Sequence, residues 1–122
     1  MNYTVTLPWP SSELSPNARG HWAIKARARA GYRNACGWVA KSQGLRKIDA
    51  HKLDANIVFH PPSKRRMDLD NMIGAFKSGQ DGIVDVCCVD DARWTPTYSR
   101  GDVVKDGAVV VTLCPPIEGK TA

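Results

Sequence analysis

The sequence predicts an α+β fold in which two helices pack on a small mixed β-sheet, in the order β-α-β-α-β-β. Three observations lead there. Short runs rich in β-branched residues lie near both ends of the chain and in its middle. Between them, two longer stretches repeat apolar residues at helical spacing. The 122 residues hold no internal repeat and no low-complexity segment, a length that suits one domain covering 1–122.

The first strand is Tyr3-Thr4-Val5-Thr6-Leu7, stopped by Pro8-Trp9-Pro10. Residues 11–20 carry Pro16, Asn17 and Gly20 and read as a loop. A long helix follows from about His21 to Gln43, with Ala28, Tyr32, Ala35, Cys36 and Val39 on one stripe. Gly31 and Gly37 weaken it and Gly44 ends it. The second strand is Leu53 to Phe59, closed by His60-Pro61-Pro62, and Ser63-Lys64-Arg65-Arg66 is a basic loop. A second helix is expected from near Asp70, with Leu69, Ile73 and Phe76 as its apolar face, Met72 beside them, and Gly79 and Gly82 marking its end. Ile83 to Val89 is a short apolar stretch leading into Asp90-Asp91. Trp94 to Tyr98 contains Pro96, which suits an edge strand. Lys105-Asp106-Gly107 reads as a hairpin turn into the last strand, Ala108 to Leu113.

Composition narrows the function. Hydrophobic residues make up 43% and charged residues 24%, a globular balance. No apolar run approaches the ~20 residues that span a bilayer. The opening residues lack a charged and apolar leader, so a soluble cytoplasmic protein is expected, with no membrane partner. Cys36, Cys87, Cys88 and Cys114 form no C-x-x-C pair, and His21, His51 and His60 are scattered, which argues against zinc and for reduced thiols.

Charge is divided along the chain. Residues 1–67 hold twelve basic and three acidic side chains, whereas residues 68–122 hold five basic and nine acidic. Between Ser15 and Ile48 lie eight Lys/Arg and no acid. Within that run Lys25, Arg29 and Arg33 stack at helical spacing, Arg27 lies on another side, and Arg19 precedes them. Such a face suits a polyanion, nucleic acid above all. A merely solvated basic helix is the plainer reading.

The local anomaly is Lys64-Arg65-Arg66-Met67-Asp68-Leu69-Asp70-Asn71, three cations running into two carboxylates at a helix entrance. In extended backbone Asp68 and Asp70 project to the same side, where they suit Mg²⁺ or Mn²⁺. Asp90-Asp91 supplies a second acidic pair twenty residues on. Two such pairs beside a basic surface fit metal-assisted phosphodiester hydrolysis, with Lys77 and Arg66 as candidates to stabilise the pentacovalent phosphate. Two plainer readings stand beside this one. Asp70 can be an N-cap worth ~1 kcal/mol, and Asp68 can pair with Arg66.

These residues resemble the RusA-type Holliday junction resolvases, small Mg²⁺-dependent endonucleases that act as homodimers on four-way DNA junctions. The resemblance rests on Leu7-Pro8-Trp9-Pro10, the basic loop before Asp68-Leu69-Asp70-Asn71, and Val89-Asp90-Asp91-Ala92. The Ser15-Pro16-Asn17-Ala18-Arg19 and Trp22 region resembles phage members of that family. It implies that Asp68, Asp70 and Asp91 bind the metal, Mg²⁺ with Mn²⁺ as a possible substitute, with Asp90 adjacent in the catalytic set. It implies a bacterial or phage-infected cytoplasm. The family places a lysine four residues after the second motif aspartate; Gly74 stands there, and Lys77 is the nearest substitute. Branched DNA would be gripped by Arg19, Lys25, Arg27, Arg29, Arg33, Lys64, Arg65, Arg66 and Asn71. Three alternatives stay open: a weak or inactive branched-DNA-binding protein, a metal-dependent nuclease for other branched or single-stranded nucleic acid, and a basic protein–protein adaptor with no nucleic-acid role.

Overall fold

The computed structural model describes residues 2–16 and 18–116. Four strands and two helices follow the expected order: β1 Tyr3–Leu7, α1 Trp22–Ser42, β2 Leu53–His60, α2 Leu69–Cys87, β3 Trp94–Arg100 and β4 Ala108–Cys114. Short 3₁₀ turns occupy Ser12–Leu14, inside the first loop, and Asp91–Arg93.

The sheet order is β1-β4-β2-β3. β4 runs antiparallel to both β1 and β2, and β3 is parallel to β2 at the edge, where Pro96 sits opposite Ala55. The expected hairpin into β4 is therefore corrected. The turn exists, with Asp106 and Gly107 at φ 66° and 73°, but the strand after it enters between β1 and β2 instead of pairing with β3. β1 and β2 are parallel through β4, as are β2 and β3, so each helix is a crossover and both run the same way.

Alternation decides which face of the sheet is covered. In β2, Leu53, Ala55, Ile57 and Phe59 are buried while Asp54 and Asn56 are exposed. Val5, Leu7, Val109, Val111 and Leu113 complete the inner face, and both helices lie on it. Phe59 meets Phe76 edge-on at 5.8 Å, and Phe76 meets Tyr32 at 6.4 Å. The Tyr32 hydroxyl donates to the Pro8 carbonyl at 2.6 Å. Burial drives the Tyr32 phenol far above its usual range and pushes the neighbouring Cys36 thiol up to about 11.

Two helix expectations change. On α1 the buried stripe is Tyr32, Cys36 and Ala40, and Ala35 is exposed. α2 is longer than its glycines suggested: Gly79 and Gly82 are interior, and the apolar stretch from Ile83 forms its last turns. A Cβ at Gly82 would lie 2.3 Å from the Arg33 carbonyl oxygen, and one at Gly79 would lie 2.6 Å from the Tyr32 ring. Gly82 lets the two helix backbones meet, and Gly79 makes room for the Tyr32 ring. Among the described residues no helix is long and apolar enough to cross a membrane, and all four cysteines are free.

Candidate functional site

The start of α2 carries the acidic motif. Asp68 is the N-cap, in extended backbone (φ −73°, ψ 142°), and its side chain makes no capping hydrogen bond. Asp70 is one residue inside the helix, with its Oδ1 accepting the Asn71 N–H at 3.1 Å. The expectation that Asp68 and Asp70 share an extended segment is thus corrected, because the helix begins between them and turns the second carboxylate away.

Asp68 faces a cleft of about 880 Å³. Arg65, Arg66 and Asn71 line it with Asp68, and Trp9, Met72 and Ala75 give it an apolar wall. Trp9 is set edge-on against Phe59 at 6.4 Å. Lys64 lines a smaller adjoining hollow, also bordered by Arg65, Arg66 and Arg100. Arg100, at the end of β3, donates to the Met67 carbonyl at 2.5 Å and ties this loop to the sheet edge. The basic loop, Asp68 and Asn71 are therefore one group on one flank of α2.

A second group lies along the outer stripe of α2, where Asp70, Gly74, Lys77 and Asp81 follow each other by four, three and four residues. Asp91, in the 3₁₀ turn beyond the helix, folds back onto this stripe. The Lys77 Nζ donates to Asp91 Oδ2 at 2.5 Å and to Asp81 Oδ1 at 3.0 Å. The Gln80 Nε2 donates to the same Asp91 oxygen at 3.1 Å, and the Gln80 Oε1 accepts from the Tyr98 hydroxyl at 2.9 Å. Asp90 caps the turn by accepting the Ala92 N–H at 2.9 Å. The Lys77 hydrogen bond holds the Asp91 carboxyl below its usual range, and Gln80 assists against partial burial. Burial works against the Lys77 charge, but its two carboxylate partners outweigh that and raise the ammonium above its ordinary value. Burial raises the Tyr98 phenol, opposed by its bond to Gln80.

The structure brings Lys77 and Asp91, both candidate catalytic residues, into direct contact. It does not gather the three metal-ligand candidates. Seven residues separate Asp70 from Lys77, about 10 Å along the axis, and Asp68 looks into the cleft on the other flank. Among the described residues no three His, Cys, Asp or Glu side chains lie where they could hold one metal ion. This arrangement does not fit one Mg²⁺ or Mn²⁺ bound by Asp68, Asp70 and Asp91 together. Gly74 has its own constraint, since a Cβ there would lie 2.4 Å from the Pro16 Cγ.

Arg19, Arg27 and Arg29 are exposed and Lys25 is half-buried. Arg33 departs from the basic ridge. Its Nε and Nη2 donate to the two Asp85 oxygens at 2.7 Å each, joining α1 to α2. It is occupied within the fold.

Gln80, Asp81, Tyr98 and Arg100 were missed from sequence. With Gly79 and Gly82 marking the end of α2, Gln80 and Asp81 fall between the two terminal glycines, although they lie three and four residues after Lys77. Tyr98 and Arg100 carry no local signal, because only the parallel pairing of β3 with β2 brings them there.

No family model matches the chain. An uncharacterized protein of Xylella fastidiosa (strain Temecula1 / ATCC 700964) is 40% identical to it over 114 residues, covering 90% of this chain and 74% of that protein.

Proposed function

The chain belongs to the same family as the Xylella fastidiosa protein, and from its own residues we propose that it is a structure-selective endonuclease that nicks branched DNA, four-way junctions first. One observation carries the reading: opposite flanks of α2 bear, at its start, a cleft lined by Arg65 and Arg66 with Asp68 and Asp106 and, about two turns further along, a lysine–carboxylate cluster. Arg65 and Arg66 suit phosphate oxygens, and the apolar wall with Trp9 suits a sugar or base edge. Lys77 is held protonated by Asp91 and Asp81, so it serves as a charged hydrogen-bond donor and not as a base. The resemblance to RusA-type resolvases implies a divalent ion that would lower the pKa of the attacking water. The residues described do not assemble a three-carboxylate site for it. Paired nicks on opposing strands suit a two-fold homodimer.

The test is a synthetic four-way junction offered with Mg²⁺, with Mn²⁺ and with EDTA, alongside linear duplex and flap substrates. Cleavage that needs the divalent ion, favours the junction and vanishes in Asp70→Asn and Asp91→Asn while binding persists is the expected result. Equal products in EDTA would remove the metal mechanism, and absence of DNA binding would remove the function altogether. A second reading is a branched-DNA-binding protein without cleavage, favoured by the commitment of Asp91 to Lys77 and Gln80. Junction binding with no product in any metal would establish it. Sedimentation equilibrium checks the dimer.

A further inference from the structure

Along α1 the residues Ala40, Cys36, Tyr32, Arg29, Lys25 and Trp22 succeed one another by steps of four, four, three, four and three, so they form one stripe. Its first three members are buried at 0%, 0% and 9% exposure. The same stripe then leaves the core: Arg29 is exposed, Lys25 is half-buried and Trp22 is 73% exposed. Trp22 thus sets a large ring in water at the position that would continue the apolar seam, next to the two cations of the same stripe.

His21 sets the orientation of that ring. Its Nδ1 accepts the Ala23 N–H at 3.2 Å, which fixes it as the helix N-cap. Its ring then stacks on Trp22, with centroids 5.8 Å apart and planes 28° from parallel. One face of the indole is held by His21, and the high exposure of Trp22 leaves ring surface available to a ligand. Lys25 and Arg29 follow at about 4.5 and 10 Å along the axis, on the same stripe. No acidic residue occurs between Ser15 and Ile48.

We propose that Trp22, backed by His21, is a stacking platform for an unpaired nucleobase, with Lys25 and Arg29 receiving the adjoining phosphates. Charge selects this occupant. A second copy docking the same face would set cations against cations, whereas a nucleic acid strand brings a planar ring and phosphates together. Every base has a π-face, so the platform reads unstacked structure and not sequence. It would bind the strand where pairing fails, at a branch point or in a single strand. The inference rests on the nucleic-acid reading above and is independent of whether the chain cleaves.

The experiment uses oligonucleotides carrying 2-aminopurine, because Trp9, Trp38 and Trp94 would obscure intrinsic fluorescence. The analogue is placed in a single strand, at the centre of a four-way junction and inside a paired duplex, and titrated with wild type, Trp22→Ala, Trp22→Phe and Arg29→Glu. Wild type is expected to quench the unpaired analogue and leave the paired one unchanged. Trp22→Ala should lose that quenching and bind single-stranded and junction DNA about ten-fold more weakly, with duplex affinity within about two-fold. Trp22→Phe should keep most of both signals, and Arg29→Glu should weaken all three DNAs. Unchanged quenching in Trp22→Ala, or an equal loss on duplex, overturns the platform while leaving the nuclease reading intact. Polyglutamate binding that depends on Trp22 as strongly as DNA binding does would overturn the nucleobase assignment. Failure of wild type to bind any of the DNAs overturns both.

Discussion

Gly74 occupies the place where a RusA-type chain would carry a lysine, and Pro16 shows why no side chain stands there: a Cβ would come within 2.4 Å of its ring. Gly74→Ala should lose about 1 kcal/mol in urea unfolding, because Pro16 and its loop must shift to admit one methyl. The four thiols should separate just as sharply. Cys36 and Cys87 are buried and burial raises both thiols, whereas Cys88 is exposed at the end of α2. A thiol-reactive probe at pH 8 should label Cys88 first and leave Cys36 and Cys87 unmodified until denaturant is added. Labelling of all four at one rate would contradict the packing. At this scale the sequence was informative wherever chemistry is local. Asp68, Asp70, Lys77 and Asp91 are legible as an acidic-basic anomaly, but the binding of Asp91 by Lys77 and Gln80 depends on a chain reversal that no spacing announces.

Elements show why some boundaries were readable and others were not. α1 has a capping His21 and Gly44 at φ 101°, so both ends carry their own signal. β2 alternates cleanly because one face meets helices and the other meets water. α2 misleads because glycine has two meanings. Gly79 and Gly82 read as punctuation, yet both face α1, Gly82 against its backbone and Gly79 against its Tyr32 and Cys36 side chains. Gly82→Ala should therefore destabilise by about 2 kcal/mol or more, against the ~0.5–1 kcal/mol gain an added methyl brings to an exposed helix. A stability increase would show that the helices are not packed as described. The Arg33–Asp85 pair joins the same helices and depends on pH. Hydrogen bonding to Arg33 holds the folded Asp85 below its unfolded value near 3.9. Its contribution is present above that value and is lost as pH falls through the lower folded one. Asp85→Asn should therefore lower Tm at pH 7 and converge on wild type in strong acid. The effect should be small, because both side chains are about half exposed.

Taken as a whole, the molecule sorts its charge by position in the chain, with a basic first half and an acidic second half that meet at the start of α2. DNA affinity should fall linearly on a log–log plot against salt. Arg65→Ala and Arg66→Ala should each lower the slope by about one, and Asp70→Asn should leave it unchanged or steeper. Flat salt dependence would exclude a phosphate-gripping surface. The α+β class and element order were legible because each segment states its own period. The sheet order was not, because pairing joins residues as far apart as Tyr3 and Leu113. That pairing governs how the protein is made. Among the described strands β4 comes after the other three in the chain, yet it fills the slot between the first two. An emerging chain that has not released residues 108–114 from the ribosome holds two strands with facing edges and nothing to bridge them. Closure of the sheet must therefore wait for residues 108–114, and a product cut short before them would offer a ready acceptor for some other chain's strand.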